Sequence, residues 1–262
     1  MENLLRKLDR DEDSHKGQNG QVGVIGGSRD YSGAPALSAE AALRTGTDLT
    51  KILTSSDVQD IIRSYSENLI VESYEADYFG KKAEKKAGNL LSWSDATVIG
   101  SGLSSPGKVT LREVAETETP LIVDAEAIDP ISRAEPSNAV FTPHEKEADT
   151  LRQRHGSLEE FAEKTGATVL LKGKVDQIYT PNDFYRNETG NPAMTVGGTG
   201  DVLTGIIASL ISQGLEPGEA SRLGAWINGR AGELAAEELG NGATAKDVID
   251  EIPEALIEKR SG

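Results

Sequence analysis

The sequence predicts one α/β domain over residues 1–262, a three-layer α/β/α sandwich with a mostly parallel central sheet. Predicted strands alternate with predicted helices along the chain, as they do when helices connect parallel strands. The strands are continuous apolar runs, which is the pattern expected when helices cover both faces of a sheet. A chain of 262 residues also buries enough apolar surface to fold without disulfides or metals.

The first sixteen residues form a lead-in with one helical turn, and the strand that follows runs into a turn at Gly26 and Gly27. Short apolar runs predict the parallel strands, which are 21–27, 49–53, 68–71, 96–100, 120–124, 139–142 and 168–172. An antiparallel hairpin joins 177–180 to 184–186, because Pro181-Asn182-Asp183 favours a turn between them.

Helices occupy the segments between the strands, where Ala, Leu and charged residues are frequent. Gly46 ends the first helix, since glycine adopts a left-handed cap without strain. The predicted helices are 34–45, 58–65, 79–91, 109–116, Glu145–His155, Leu158–Thr165, 201–213, Pro217–Leu239 and 245–257.

Composition excludes several classes of function. Because the chain has no cysteine, it has no disulfide, thiolate nucleophile, iron–sulfur cluster or cysteine-based zinc site. The 43 Asp and Glu residues against 27 Lys and Arg give a net charge of −16, which disfavours nucleic-acid binding. So acidic a surface indicates the salty cytoplasm of a halophilic prokaryote, where dense salt screens the self-repulsion. An ordinary acidic protein is the alternative.

The sequence predicts neither a membrane protein nor an exported one. The longest largely apolar run, 202–211, is too short to span a bilayer. The charged N-terminus lacks the apolar core of a signal peptide. We therefore expect a cytoplasmic location.

The glycine-rich loop 196–200 opens the long apolar helix 201–213. Gly197, Gly198 and Gly200 indicate a backbone that approaches a ligand closely, and N–H groups at a helix N-terminus bind anions. Asp201 beside them is placed to take a proton from a hydroxyl while the amides hold a transferring phosphoryl group. Capping of the helix is the alternative for Asp201. The loop lacks the residues of a Walker A motif and the spacing of a dinucleotide fingerprint.

With this loop the chain resembles the ribokinase-like superfamily, and further segments are similar to the NAD(P)H-hydrate dehydratases. Those segments follow the whole chain in order: HKG at 15–17, VIGGSRDYSGAPALSAEAALRTG at 24–46, IGSGL at 99–103, VDAEAI at 123–128, TPHEKE at 142–147, VLLKGKVDQI at 169–178 and NETGNPAMTVGGTGDVLTG at 187–205. GGTGD alone indicates only the superfamily, whereas TPH with its downstream Glu, the Gly-Ala-Pro segment and the TGN stretch indicate the family.

The resemblance implies an enzyme of nicotinamide-nucleotide repair that dehydrates the S form of hydrated NADH or NADPH. It would use ADP or ATP, with Mg²⁺, to phosphorylate the added ring hydroxyl, after which phosphate leaves and the ring double bond returns. ADP is typical of bacterial and archaeal members and ATP of eukaryotic ones. We expect ADP, because the acidity indicates a prokaryote.

The same resemblance assigns the phosphoryl-transfer residues. Asp201 would activate the substrate hydroxyl. The anion hole would be formed by Gly198, Thr199 and Gly200. The adenine nucleotide would be bound by Lys172, Gly173, Lys174, Val175, Asp176 and Gly200. A solvated strand end is the alternative explanation for Lys172.

The hydrated nicotinamide nucleotide would be lined by Ala34, Gly102, His144 and Asp201. Both Gly102 and His144 follow predicted strands, and ligands bind at that edge of an α/β sheet. The alternatives are a plain turn for Gly102 and a structural histidine for His144. Acidic side chains near the phosphates can hold Mg²⁺. Asp124 and Glu147 are candidates, with capping and solvation as equal alternatives, so the metal ligands stay undefined.

Four residues depart from the family pattern. Ser101 stands where proline is usual, Glu145-Lys146 stands where Pro-Gly commonly follows TPH, and Glu126 replaces an Asp. Only about twenty residues precede the first strand, so we expect no fused epimerase domain and a separate epimerase in the same pathway. The resemblance further implies a homo-oligomer, a tetramer.

Two other functions remain open at this point. A kinase of the same fold, acting on a sugar, hydroxymethylpyrimidine or thiazole alcohol, would keep 197–201 but has no reason to keep the TPH–Glu segment. A catalytically idle nucleotide-sensing protein is disfavoured by the intact Asp201 and glycine loop.

Overall fold

The computed structural model describes residues 1–104 and 107–260. Within those residues, one nine-stranded sheet has the order β3-β2-β1-β4-β5-β6-β7-β8-β9. The strands are Gln21–Ile25 (β1), Leu49–Ser55 (β2), Ile70–Tyr74 (β3), Ala96–Ile99 (β4), Leu121–Val123 (β5), Ala139–Phe141 (β6), Thr168–Leu171 (β7), Asp176–Tyr179 (β8) and Phe184–Asn187 (β9). Strands β1 to β7 pair in parallel, and the β8–β9 hairpin is antiparallel, as the turn at Pro181-Asn182-Asp183 predicts.

The α-helices in the described residues cover both faces of this sheet. They are Glu2–Leu5 (α1), Gly33–Thr45 (α2), Gln59–Arg63 (α3), Glu84–Trp93 (α4), Lys108–Val114 (α5), Ile128–Ser132 (α6), Glu145–His155 (α7), Leu158–Thr165 (α8), Thr199–Ser212 (α9), Pro217–Leu239 (α10) and Ala245–Arg260 (α11). The α/β/α sandwich predicted from the sequence is therefore confirmed.

The apolar strands are explained by two hydrophobic cores, one on each face. Side chains alternate between the faces of a strand, so Ile122 joins the core formed with α2, α9, α10 and α11, while Val123 joins the core formed with α4 to α8. Phe141 and Phe161 meet edge to face in the second core, with ring centres 5.2 Å apart. Because both faces are covered, a polar residue has no solvated position within the central strands.

Several helices differ from the sequence prediction, and two of the differences have a clear physical reason. A 3-10 turn at Ala125–Ala127 and helix α6 were not predicted, because Pro130 is typical of a helix break. Pro130 lies in the first turn of α6, where the N–H has no intrahelical partner and proline costs no hydrogen bond. Helix α9 begins at Thr199 rather than Asp201, so the end of the glycine-rich loop is the first helical turn.

The order of the strands places a crevice at one edge of the sheet. Strand β1 pairs with β2 on one side and β4 on the other, so the chain changes direction across the sheet there. In open α/β sheets, ligands bind beyond the carboxyl ends of the strands at such a switch point. Over its described residues, the protein has no helix both long and apolar enough to cross a bilayer.

Candidate active site

The carboxyl ends of the parallel strands bring most of the predicted site residues to one edge. Gly100 to Gly102 follow β4, Asp124 follows β5, His144 follows β6 and Lys172 follows β7. The N-terminus of α9 lies at the same edge, since a Cβ added to Gly200 would lie 3.4 Å from the Lys172 ammonium. Segments that are distant in the sequence are therefore neighbours here because the strands are parallel.

The floor of this edge is built from backbone in close contact. Gly27 donates its N–H to the Ser101 carbonyl at 2.9 Å. A Cβ on Gly26 would lie 2.3 Å from that carbonyl oxygen, and a Cβ on Gly100 would lie 1.9 Å from the Asp124 carbonyl oxygen. Glycine is required at both positions, since any side chain would overlap a neighbouring peptide group.

The first turn of α9 combines an anion-binding backbone with a carboxyl group. Gly198 caps the helix at φ +98°, and a Cβ there would lie 2.7 Å from Leu37 and 2.9 Å from Ala245. Gly198 is thus needed for the local structure as well as for any ligand. The N–H groups of the first turn have no carbonyl partner within the helix and carry the positive end of its dipole. Asp201 lies directly within that turn.

A buried ion pair connects two strand ends beside Asp201. The Lys172 ammonium donates to the Asp124 carboxylate at 2.7 Å, and the Thr142 hydroxyl donates to the same oxygen at 2.8 Å. Burial would lower the pKa of Lys172, but the charges of Asp124, Glu147 and Asp201 and the bond to Asp124 raise it overall. Lys172 is therefore a permanent cation at the N-terminus of α9.

Asp201 has the properties of a general base. Burial, together with the negative charge of Asp124, raises its pKa from 3.8 to about 7, although hydrogen bonding from Ser101 and the charge of Lys172 act in the opposite direction. A carboxyl group with a pKa near neutrality both accepts and releases protons readily at cellular pH. Groups perturbed in this way concentrate at functional sites.

A cavity of about 500 Å³ opens next to the start of α9. It is lined by five of the six predicted nucleotide residues, namely Lys172, Gly173, Lys174, Asp176 and Gly200. Val175 is not among the lining residues. Loop 188–195 and the α10 residues Asn228 and Gly229 complete the wall. The volume lies within the range of pockets for small ligands.

Buried polar groups in the wall of this cavity are arranged by a network. Asp176 accepts hydrogen bonds from the Gly173 N–H at 3.1 Å and from the Asn187 side chain at 3.0 Å. Burial still raises the pKa of Asp176 overall. Asn228 Oδ1 is buried and has no hydrogen-bonding partner within the described residues. An unpaired buried acceptor is costly, so it is typical of a site that receives a donor from a ligand.

Ala34 and Gly102 meet at the other end of the edge. Gly102 adopts φ +68°, and a Cβ there would lie 3.1 Å from the Ala34 Cβ and 2.6 Å from the Tyr31 carbonyl oxygen. The Tyr31 side chain is exposed. The two predicted substrate residues are therefore in contact, across the switch point between β1 and β4.

His144 has the structural role that the sequence analysis held open as its alternative. It caps α7: its Nδ1 accepts from the Lys146 N–H at 3.1 Å, and Glu147 accepts from the His144 N–H at 2.8 Å. This reciprocal pair is a capping box, and the three-residue spacing from His to Glu was its signal. The His144 ring is about half exposed, so capping leaves one face open to a ligand.

The described residues contain no group of three or more Asp, Glu or His side chains that could hold a metal ion. The two carboxylates considered from the sequence have other partners, since Asp124 binds Lys172 and Thr142 and Glu147 caps α7. The sequence analysis also missed the contributions of Ser101, Thr142, Asn187 and Asn228. Of these, Ser101, Thr142 and Asn187 lay in segments already singled out, and Asn228 did not.

The chain matches a family model described as NAD(P)H-hydrate dehydratase over residues 22–254. The chain belongs to this family. It is 42% identical over 239 residues to the ADP-dependent (S)-NAD(P)H-hydrate dehydratase of Haloterrigena turkmenica, covering 91% of this chain and 93% of that protein. It is 38% identical to the bifunctional NAD(P)H-hydrate repair enzyme Nnr of Methanothermobacter thermautotrophicus, covering 97% of this chain but 53% of that protein.

The fold of this NAD(P)H-hydrate dehydratase family member is shared by a solved relative. The Bacillus subtilis ADP/ATP-dependent NAD(P)H-hydrate dehydratase, co-crystallized with ATP/Mg²⁺, superimposes with a TM-score of 0.83 at 28% identity. The superposition covers 99% of this chain and 97% of that one. The family and the fold inferred from the sequence are thus confirmed, while the role of each site residue stays a prediction.

Proposed function

We propose that this protein is an ADP-dependent dehydratase of the S form of hydrated NADH and NADPH. The observation that carries the proposal is Asp201, a buried carboxyl with a pKa near 7 at the N-terminus of α9. It lies in the first turn of α9, and the pKa of its carboxyl is lowered by Ser101, the neighbour of Gly102. Family membership and the names of the relatives support the choice of substrate.

The first step is phosphoryl transfer to the added ring hydroxyl. Asp201 takes the hydroxyl proton while the hydroxyl oxygen bonds to the terminal phosphorus of ADP, and the bond from that phosphorus to its bridging oxygen breaks to release AMP. The amides of Gly198, Thr199 and Gly200 hold the transferring group. Lys172 neutralises charge that develops there, because Asp124 fixes its ammonium beside Gly200.

The second step removes phosphate from the ring. The carbon–oxygen bond breaks, phosphate leaves with the bonding electrons, and a proton leaves the neighbouring ring carbon as the double bond forms. Phosphate is a far better leaving group than hydroxide, so a scaffold built for phosphoryl transfer can carry out a net dehydration. The product is the reduced nicotinamide nucleotide.

The nucleotide is assigned to the cavity beside α9. Its wall contains Lys172, Gly173, Lys174, Asp176 and Gly200, so phosphates there would reach the N-terminus of α9. Val175 stays a predicted nucleotide-binding residue of the same loop, although it does not line the cavity. The buried Asn228 acceptor suits a donor group on the base or ribose of the nucleotide.

We assign Mg²⁺ to the nucleotide phosphates. Magnesium keeps several waters and commonly binds through phosphate oxygens with only one or two carboxylates. That preference fits an edge whose described residues offer no cluster of three acidic or histidine ligands. When bound, the ion would neutralise charge on the phosphates.

The proposed function also bears on domain organisation, location and assembly. We propose that residues 1–262 act as one cytoplasmic dehydratase domain that assembles as a homotetramer. An epimerase that converts the R form of the hydrate would act in the same pathway, because the matched Nnr relative is named as a bifunctional repair enzyme.

The test is recovery of NADH absorbance from purified hydrated NADH with Mg²⁺, adding ADP and ATP in separate reactions at high salt. We expect recovery with ADP and a loss of about 10²- to 10⁴-fold in Asp201→Asn, the usual contribution of a general base. The variant should still bind ADP by calorimetry. If folded wild-type protein recovers no NADH, the small-alcohol kinase is favoured instead, and a screen of alcohols for ADP or ATP consumption decides it.

A further inference from the structure

The segment between β3 and α4 forms a second cavity at the carboxyl edge of the sheet. Strand β3 ends at Tyr74 and α4 begins at Glu84, so this segment lies beyond the same strand ends as the candidate active site. The cavity has a volume of about 410 Å³. Its lining residues are Ala76, Asp77, Tyr78, Gly80, Lys81 and Lys82. None of them takes part in the site described so far.

Backbone and side-chain contacts hold this segment in place. Phe79 is fully buried. The Ser55 hydroxyl donates to the Ala76 carbonyl at 2.7 Å, and the Gly107 N–H donates to the Phe79 carbonyl at 2.6 Å. Gly107 belongs to the connection that follows β4, which also contains Gly102. The cavity therefore adjoins the loop that carries one of the predicted substrate residues.

Two of the lining side chains are cations without an acidic partner. Both Lys81 and Lys82 are exposed, and within the described residues neither makes an ion pair or a side-chain hydrogen bond. Acidic residues outnumber basic ones by 43 to 27 in this chain, so adjacent lysines that have no carboxylate partner are available to an anionic ligand. An ammonium group binds phosphate readily as a point charge.

The cavity also offers an aromatic surface. Tyr78 is 56% exposed, although a Cβ added to Gly80 would lie 2.9 Å from ring atom Cε2 of Tyr78. Glycine thus leaves room for the ring beside the backbone, while more than half of the tyrosine stays open to a ligand. Bases stack on such rings. Cations beside an exposed aromatic ring are the groups that recognise a nucleotide.

The substrate of the proposed reaction has a second half for which the site so far provides no place. Hydrated NADH joins its nicotinamide riboside through two phosphates to adenosine. The cavity beside α9, at the β7–β8 side, is assigned to ADP, so the direction toward β2 and β3 is open to this second half. Strand β3 is two strands from β1, and at about 4.8 Å per strand its end lies about 10 Å from the switch point. An extended dinucleotide is longer than that distance.

We propose that residues 77–82 bind the adenosine diphosphate half of hydrated NADH and NADPH. Lys81 and Lys82 contact the phosphates, and Tyr78 stacks on the adenine. The inference rests on the proposed function, because it extends the substrate site of that reaction. These side chains bind the end of the substrate that does not react. Their removal should therefore raise the KM for the hydrate and leave both kcat and the KM for ADP unchanged.

The experiment compares the binding of NAD⁺ and of nicotinamide mononucleotide, which lacks the adenosine half, by calorimetry on the full chain. We expect the wild type to bind NAD⁺ more tightly. Lys81→Ala and Lys82→Ala should each weaken NAD⁺ binding about 3- to 10-fold and leave mononucleotide binding unchanged. Tyr78→Ala should weaken NAD⁺ binding about fivefold or more, and Tyr78→Phe should restore it because the ring remains.

Lys85→Ala is the matched control, because Lys85 is an exposed lysine of α4 that does not line the cavity. It should change neither affinity. The four substituted side chains are exposed, so each variant should melt at the temperature of the wild type.

Equal binding of NAD⁺ and the mononucleotide by the wild type would overturn the subsite. So would an affinity for NAD⁺ that the lysine and Tyr78→Ala variants leave unchanged, or one that Lys85→Ala lowers equally. In each case recovery of NADH absorbance by the wild type shows that the proposed function stands without the subsite, whereas absence of recovery contradicts the proposed function itself.

Discussion

At the scale of single residues, the burial that suits Asp201 to its proposed role as a base also lowers the stability of the folded protein when the carboxyl is ionised. Its pKa is raised from 3.8 to about 7, first by burial and then by Asp124. Between those pH values the folded state binds more protons than the unfolded state. The contribution of Asp201 to stability is therefore fully present below about pH 4 and is lost as the pH rises through about 7.

The Asp201→Asn variant should expose this cost, since Asn has the shape of the neutral acid. We expect its melting temperature to exceed that of the wild type by several degrees at pH 8 and by less at pH 5. Scanning calorimetry of both proteins at the two pH values tests this. An equal gain at both would show that ionisation of Asp201 is not responsible.

The surroundings of Asp201 also show which features of the site cannot be predicted from the sequence. Asp201 was singled out because it follows a glycine-rich loop, which is a local pattern. Its contact with Ser101 and the Lys172–Asp124 pair depend on strand order and on how far each strand extends. Ser101 stood out only as a departure from the family pattern, and nothing in the sequence indicates that its hydroxyl faces a carboxyl 100 residues away.

At the scale of secondary-structure elements, two glycines at the start of α9 are expected to differ in role, one serving the fold and the other the proposed nucleotide site. A Cβ on Gly198 would collide with Leu37 and Ala245 at a positive φ, whereas a Cβ on Gly197 would have no neighbour within 4 Å. Gly198→Ala should therefore destabilise the fold by about 1–3 kcal/mol. Gly197→Ala should leave the melting temperature unchanged. We expect it to lower ADP-dependent turnover at least tenfold, because a methyl group in the glycine-rich loop would hinder the close approach of phosphates that is proposed for that loop.

Urea unfolding and the NADH-recovery assay, run on both glycine variants, measure the two effects. A stable and fully active Gly197→Ala protein would show that this glycine has no contact with the nucleotide.

Variants of His144 at the N-terminus of α7 can distinguish its capping role from a role in substrate binding. His144→Ala removes the cap and should lower stability by about 0.5–2 kcal/mol. His144→Asn supplies another good capping side chain and should restore most of that loss. If His144 also contacts substrate, the KM for the hydrate stays raised in the Asn variant although its stability returns. A KM equal to that of the wild type would leave His144 with the capping role alone.

Helices and strands could be predicted from the sequence where they depend on residues that are neighbours in the chain. Apolar runs identified the strands because both faces of the sheet are covered, and Gly46 identified the end of α2 by its left-handed cap. Helix α6 was missed because the meaning of Pro130 depends on its position within a turn. The capping box of His144 and Glu147 was visible in the sequence. His144 was nevertheless considered only as a substrate residue or an unspecified structural histidine, and Glu147 as a metal ligand or a solvated side chain.

At the scale of the whole molecule, the net charge of −16 makes stability depend on salt. Charges repel over about 30 Å in 0.01 M salt but over only about 3 Å at 1 M. We expect the melting temperature to rise between dilute buffer and molar KCl. Sucrose at matched osmolality is the control for stabilisation by preferential exclusion of the solute. A melting temperature that does not change with KCl would contradict the argument that salt screens charge repulsion.

The backbone floor beneath the crevice also has an evolutionary consequence. Every one-base change of a glycine codon that yields another amino acid adds a Cβ, and at Gly26 and Gly100 that atom would overlap a neighbouring carbonyl. Apart from synonymous changes, codons at these positions have no viable one-base neighbour, so the floor cannot drift in small steps. We expect new substrate preferences to arise in the walls, from loop 188–195 or the start of α2, above a floor whose glycines stay fixed.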